Sequence, residues 1–98
     1  MYFVELSKQA MKDRKFLKGA GLEKKAKSLL DIIALDPFQS PPPFEVLSRE
    51  LRGNFSRRLN SQHRLVYDVI ENSENLLSPD GTPYVGIIRV KRMWTHYE

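Results

Sequence analysis

The sequence predicts an α+β domain in which two helices from the N-terminal half pack on a small, mainly antiparallel β-sheet, in the order strand, helix, helix, strand, strand, strand. Three observations predict it. Leu22, Ala26, Leu29, Leu30 and Ile33 recur at helical spacing, and the chain beyond Gly53 reads as β-rich runs separated by turn formers. Between the halves, Asp36 to Pro43 carries Pro37, Pro41, Pro42 and Pro43, which continue neither a helix nor a central strand. At 98 residues the chain fits one domain, 1–98.

Each element has a local reason. Tyr2 to Leu6 is a short apolar and β-branched run, a first strand, after which Ser7 is placed to cap a helix over Lys8 to Lys18. Gly19-Ala20-Gly21 stops that helix, and the second ends before Pro37 with Lys24, Lys25 and Lys27 turned outward. The pair forms a hairpin able to lay one apolar face on a sheet. The proline segment is read as a stiff crossover in preference to a polyproline ligand. Gly53 marks a turn, Phe55 to Leu59 a strand, Asn60-Ser61 a turn, and His63 to Ile70 a strand apolar on both faces. Glu71 to Pro83, with Pro79-Asp80-Gly81 at its centre, closes a longer hairpin into Tyr84 to Met93. The closing Trp94-Thr95-His96-Tyr97-Glu98 is too aromatic to float, so burial or ligand stacking is expected to hold it down.

Composition narrows function by exclusion. With no cysteine there is no disulfide framework, thiolate metal site or cysteine nucleophile, and a reducing cytoplasm is the expected location. No apolar run approaches the ~18 residues of a membrane span, and charges follow rather than precede the first apolar stretch, so a soluble, non-exported protein is expected. Sixteen Lys and Arg against twelve Asp and Glu give a net charge of +4, which favours polyanionic partners. Residues 44–64 use arginine alone as their base: Arg49, Arg52, Arg57, Arg58 and Arg64. Guanidinium groups match phosphate bidentately and stay charged at any working pH, whereas the lysines of the helical half read as a solvated surface.

There is no glycine-rich phosphate loop, no histidine pair at metal spacing and no G-x-S-x-G elbow. The residues left to carry chemistry are Glu45, the Arg49 to Arg64 cluster, His63, His96 and Tyr97. Each also has a bland reading. Glu45 reads as a solvated loop carboxylate and His63 as a surface residue after a turn. The arginines read as a solvated strand face on which Arg64 or Arg58 pairs with Glu45 or Glu50, and His96 and Tyr97 as a frayed end.

Taken in order, Pro43-Phe44-Glu45-Val46-Leu47, the G-x-x-S-R-R run Gly53 to Arg58 followed by Leu59, His63-Arg64-Leu65-Val66-Tyr67 and the closing His96-Tyr97 resemble the Txe/YoeB family of bacterial toxin endonucleases in the RelE/ParE superfamily. The resemblance implies a RelE-like, microbial ribonuclease-like fold and an mRNA interferase that cleaves codons in the ribosomal A site without a cofactor. It assigns Glu45 as general base, Arg64 as the catalytic phosphate-binding cation and His96 as general acid. Substrate binding falls to Arg58, Arg57, Arg49, His63 and Tyr97, the last by positioning or stacking. Implied partners are a cognate YefM/Axe-like antitoxin and the translating ribosome with its mRNA and rRNA, and a homodimer is allowed.

Those roles suit metal-free RNA cleavage, which needs a base for the 2′-hydroxyl, a cation for the crowded phosphorane and an acid for the departing 5′-oxygen. The sequence departs from the family at Ser48 and Arg49, where some members carry a lysine, and in its long Glu71 to Pro83 connection. A ParE-like gyrase-binding toxin and a non-catalytic basic RNA-binding module remain the alternatives.

Overall fold

A computed structural model describes residues 1–47 and 53–94. Strand β1 (Phe3–Leu6) leads into helix α1 (Lys8–Gly19) and helix α2 (Glu23–Leu35). Four strands follow: β2 (Glu45–Val46), β3 (Phe55–Arg58), β4 (Arg64–Glu71) and β5 (Gly86–Arg92). The five strands make one sheet in the order β1-β5-β4-β3-β2, with β1 parallel to β5 and every other pair antiparallel. Both helices lie on one face.

The expected α+β layer pair is therefore present, with one addition. The sequence does not predict β2, because two residues leave no periodic trace. It runs along the outer edge of β3, pairing Glu45 with Ser56 and Val46 with Phe55, and the Leu47 N–H extends the ladder to the Asn54 carbonyl at 2.9 Å.

Ser7 caps α1 as its position predicts: its Oγ accepts from the Ala10 N–H at 3.0 Å. The same hydroxyl donates to the Lys91 carbonyl at 2.8 Å, so the cap also ties α1 to β5. α1 contributes Ala10 and Leu17 to the core, and α2 contributes Ala26, Leu29 and Ile33. They meet Leu65 and Tyr67 of β4, Ile88 and Val90 of β5, and Met93. The long 71–83 connection holds itself together: Leu77 bridges to Pro83, and the Asn72 side chain bonds to the Leu76 N–H and to the Leu76 and Tyr84 carbonyls.

Strand alternation then divides the functional residues between two faces. Leu65 and Tyr67 point to the helices, so Phe55 and Arg57, their cross-strand partners, do too. The open face is left with Ser56, Arg58, Arg64, Val66 and Asp68, and with Glu45 through its pairing to Ser56.

Candidate active site

Glu45 and Arg64 come together on the open face although they belong to β2 and β4, which are separated by β3. The Arg64 Nη1 lies 3.3 Å from the Glu45 Oε2 and donates to the Ser56 Oγ at 3.3 Å. Ser56, on the strand between them, is 1% exposed and acts as a buttress under the guanidinium. The Arg64 side chain is 17% exposed and that of Glu45 58%, so the cation is seated in the sheet while the carboxylate faces solvent. This is the Arg64 with Glu45 pairing that the bland reading of the arginines allowed.

Energetics make stability a poor reason for the arrangement. A half-exposed ion pair contributes roughly 0–1 kcal/mol. Directly across the β3–β4 ladder, exposed Arg58 sits opposite Arg64, a like-charge juxtaposition that costs a similar amount. Two arginines paired across the ladder beside one carboxylate suit an anion. Further along the open face, Asp68 takes two cations, Arg89 through Nε at 2.9 Å and Lys91 at 3.4 Å. Burial works to raise the Asp68 pKa, but the hydrogen bonds and charges of Arg89 and Lys91 outweigh it and hold the carboxyl below its ordinary value.

Two expected binding residues lie elsewhere. Arg57 is not on the open face: it is 1% exposed, and its donors go to the Tyr67 hydroxyl and to the carbonyls of Pro37, Gln39 and Pro42. Adjacent residues of a strand point to opposite faces, so Arg57 and Arg58 cannot both meet one substrate. His63 also lies on the helix side. It is 9% exposed, and its ring stacks on Trp94 with centroids 3.6 Å apart and planes 15° apart, while Trp94 in turn stacks on Phe16 of α1 at 5.8 Å. Arg49, His96 and Tyr97 lie outside the described residues.

Trp94, expected to be ordered, is held by more than rings. Buried Asp13 of α1 receives the Arg92 Nε at 3.0 Å, the Met93 N–H at 2.9 Å and the Trp94 N–H at 3.2 Å. The Arg92 Nη2 also donates to the Trp94 carbonyl at 2.9 Å. One carboxylate thereby fixes the direction in which the chain leaves β5 through Trp94. In a lysine-rich helix the one signal for Asp13 is its place on the inward face with Ala10 and Leu17, at i−3 and i+4. For Ser56 the signal is period-two alternation, which puts it on the same face as Arg58.

Among the described residues, no group of three or more His, Asp or Glu side chains is arranged to hold a metal ion, and no helix is long and apolar enough to cross a membrane.

Comparison with known proteins agrees with this architecture. Residues 6–79 match the family described as YoeB-like toxin of bacterial type II toxin-antitoxin system. The match stops in the 71–83 connection, before β5 and the His96-Tyr97 end. A protein named Toxin YoeB from Synechocystis sp. is 39% identical over 66 residues, covering 67% of this chain and 70% of that one. Among solved structures, a YoeB/ParE toxin from Agrobacterium tumefaciens superposes with a TM-score of 0.77 at 22% identity, covering 97% of this chain and 99% of the other. The toxin fold in a YoeB-YefM complex from Staphylococcus aureus gives 0.68 at 26% identity, with 99% of each chain covered. A YoeB dimer from the same organism gives 0.64 at 27%, with 98% of each covered.

Proposed function

The chain belongs to the YoeB-like toxins of bacterial type II toxin-antitoxin systems, and from that premise we propose that it is a ribosome-dependent mRNA endoribonuclease. The observation that carries the proposal is the Glu45–Arg64 contact on the open face, with Arg58 opposed across the ladder. It supplies a solvent-facing proton acceptor 3.3 Å from one cation, with a second cation paired to the first across the ladder.

In this reading Glu45 takes the proton of a ribose 2′-hydroxyl, and the 2′-oxygen forms a bond to the adjacent phosphorus. Arg64, seated against Ser56, and Arg58 neutralise the extra charge of the phosphorane, where fixed cations stabilise the transition state most. His96 gives a proton to the 5′-oxygen as its bond to phosphorus breaks. The products are a 2′,3′-cyclic phosphate, which can open to a 3′-phosphate, and a free 5′-hydroxyl. Tyr97 positions or stacks on the substrate base, and Arg49 adds a further cation. The side chains of this chain supply every proton transfer in this scheme.

The family and the relatives also support two partners. A cognate antitoxin is proposed because the structural neighbours include a toxin bound to YefM, and the basic surface suits an acidic segment. A homodimer is proposed on the likeness to the dimeric staphylococcal protein. A gyrase-binding toxin needs no acid and base, so the Glu45–Arg64 geometry favours the nuclease.

Mapping of new 5′ ends on a defined message in translating ribosomes tests the proposal. Cuts within the A-site codon, with 5′-hydroxyl ends, are expected. A message carrying a 2′-deoxy nucleotide at the cut site must resist; if it is still cut, the 2′-oxygen mechanism is wrong.

A further inference from the structure

Arg57 sits on β3 one residue from Ser56 and directly behind the site, yet its guanidinium is sealed inside. A buried cation is retained only where its donors are satisfied. Here Nη1 donates to the Pro42 carbonyl at 2.6 Å, Nη2 to the Pro37 and Gln39 carbonyls at 3.1 and 2.8 Å, and Nε to the Tyr67 hydroxyl at 3.1 Å. The Tyr67 hydroxyl in turn donates to the Pro37 carbonyl at 2.6 Å. The Phe44 ring lies 5.0 Å from the guanidinium carbon. One side chain, with one tyrosine behind it, therefore holds residues 37, 39, 42 and 44 of the proline connector.

That connector needs an outside hold. Prolines 37, 41, 42 and 43 have no N–H, and the Phe38 and Gln39 N–H groups turn back onto Asp36, so the segment builds no strand ladder of its own. It ends at Glu45, in a strand of two exposed residues on the sheet edge. So short a strand fixes its own position weakly. β3 thus acts on both halves of the site, with Ser56 under Arg64 on one face and Arg57 gripping the approach to Glu45 on the other.

We propose that Arg57 and Tyr67 are positioning residues for Glu45, which hold the carboxylate at its distance from Arg64 through the proline connector and make no contact with RNA. The inference rests on the nuclease reading for its effect on rate, though the clamp itself is tested without it.

Two variants separate this from a phosphate-binding or purely structural role. Tyr67→Phe keeps the ring and removes the hydroxyl that links Arg57 to Pro37. Arg57→Lys keeps the charge and loses the fork. On programmed ribosomes, each folded variant is expected to lose about tenfold to 10²-fold in kcat, the scale of a misplaced catalytic group, with KM and its salt dependence unchanged. In a Glu45→Gln background neither should slow cleavage further. Hydrogen exchange of Tyr67→Phe alone should quicken at the amides of residues 38–40 and 44–47 and leave β4 and β5 protected.

A raised KM with a shallower salt slope and normal kcat would make Arg57 a phosphate contact and overturn the inference. Losses that multiply with Glu45→Gln, or unchanged exchange at 44–47, overturn it as well. Should Arg57→Lys fail to fold, Tyr67→Phe decides. Should the wild-type protein cut no message, the nuclease reading fails, and the exchange measurement still decides the clamp.

Discussion

The Glu45 carboxylate reaches the Arg64 guanidinium at 3.3 Å by spanning an intervening strand, on which only the small Ser56 stands between them. The pair is half open to water and contributes at most about 1 kcal/mol. Removing it should therefore separate activity from stability. Glu45→Gln is expected to lower cleavage by ~10²-fold or more, as loss of a general base does, while the melting temperature barely moves. A-site cleavage assays and thermal melts on the same preparation check this. Full activity in Glu45→Gln would remove the carboxylate from the mechanism.

Neighbouring arginines should behave oppositely. Arg57→Ala strips its donor from the Gln39 and Pro42 carbonyls and from the Tyr67 hydroxyl, leaving the Pro37 carbonyl with Tyr67 alone, so a loss of roughly 3 kcal/mol is expected, seen in denaturant melts. Arg58→Ala touches an exposed position and should change stability by no more than about 0.5 kcal/mol, yet it should weaken cleavage. Equal destabilisation by the two substitutions would contradict the division of faces.

These two residues also show where sequence reading reaches its limit. The elements were legible because each has a local cause: Ser7 as cap, the Leu22 to Ile33 stripe, and the turn formers around Gly53 and Asn60. The pairing of Glu45 with Arg64 was legible as one option among several. The register that selects it was not, because it depends on β2, which is too short to leave a pattern. Residue type alone grouped Arg57 with Arg58, although period-two alternation in Phe55 to Arg58 already required one of them to face inward. His63 misled for the same reason, since its burial depends on Trp94, thirty-one positions away in the chain. Asp13 was invisible because its partners, Arg92, Met93 and Trp94, come from the other end of the sequence.

Asp13 gives a prediction with a sign. Burial works to raise its pKa, but the bonds from Arg92, the Met93 N–H and Gln9 outweigh that and set it below the ordinary carboxylate value. A carboxyl depressed in the folded state adds stability at pH values above its unfolded pKa of about 4, and that stability fades as pH falls through the folded value. Asp68 acts with the same sign. Asp13→Asn should therefore melt well below wild type at pH 7, with the gap closing as the solution is acidified below about pH 4. A gap that stays constant down to pH 2 would show that the charge of Asp13 contributes nothing.

Among the described residues, the chain after β5 is seated by Trp94 between Phe16 and His63 and by the Met93 and Trp94 amides on Asp13. Deleting His96 to Glu98 should leave these in place and shift the melting temperature by only about 2 °C, less than a loss of 1 kcal/mol gives in a domain of this size. Cleavage should disappear, because the proposed acid is gone, while ribosome affinity largely persists on the many Lys and Arg contacts. Tyr97→Phe and Tyr97→Ala then divide hydroxyl chemistry from stacking. A base-aromatic stack is worth ~1–3 kcal/mol, so Ala should lose about one to two decades in rate if the stack is made in the transition state, and Phe should keep most of it. Trp94→Ala supplies the opposite control: it removes the middle ring of the stack and should lower stability and activity together. Undiminished cleavage after the deletion would take the tail out of the mechanism and leave Glu45, Arg58 and Arg64 in need of another acid.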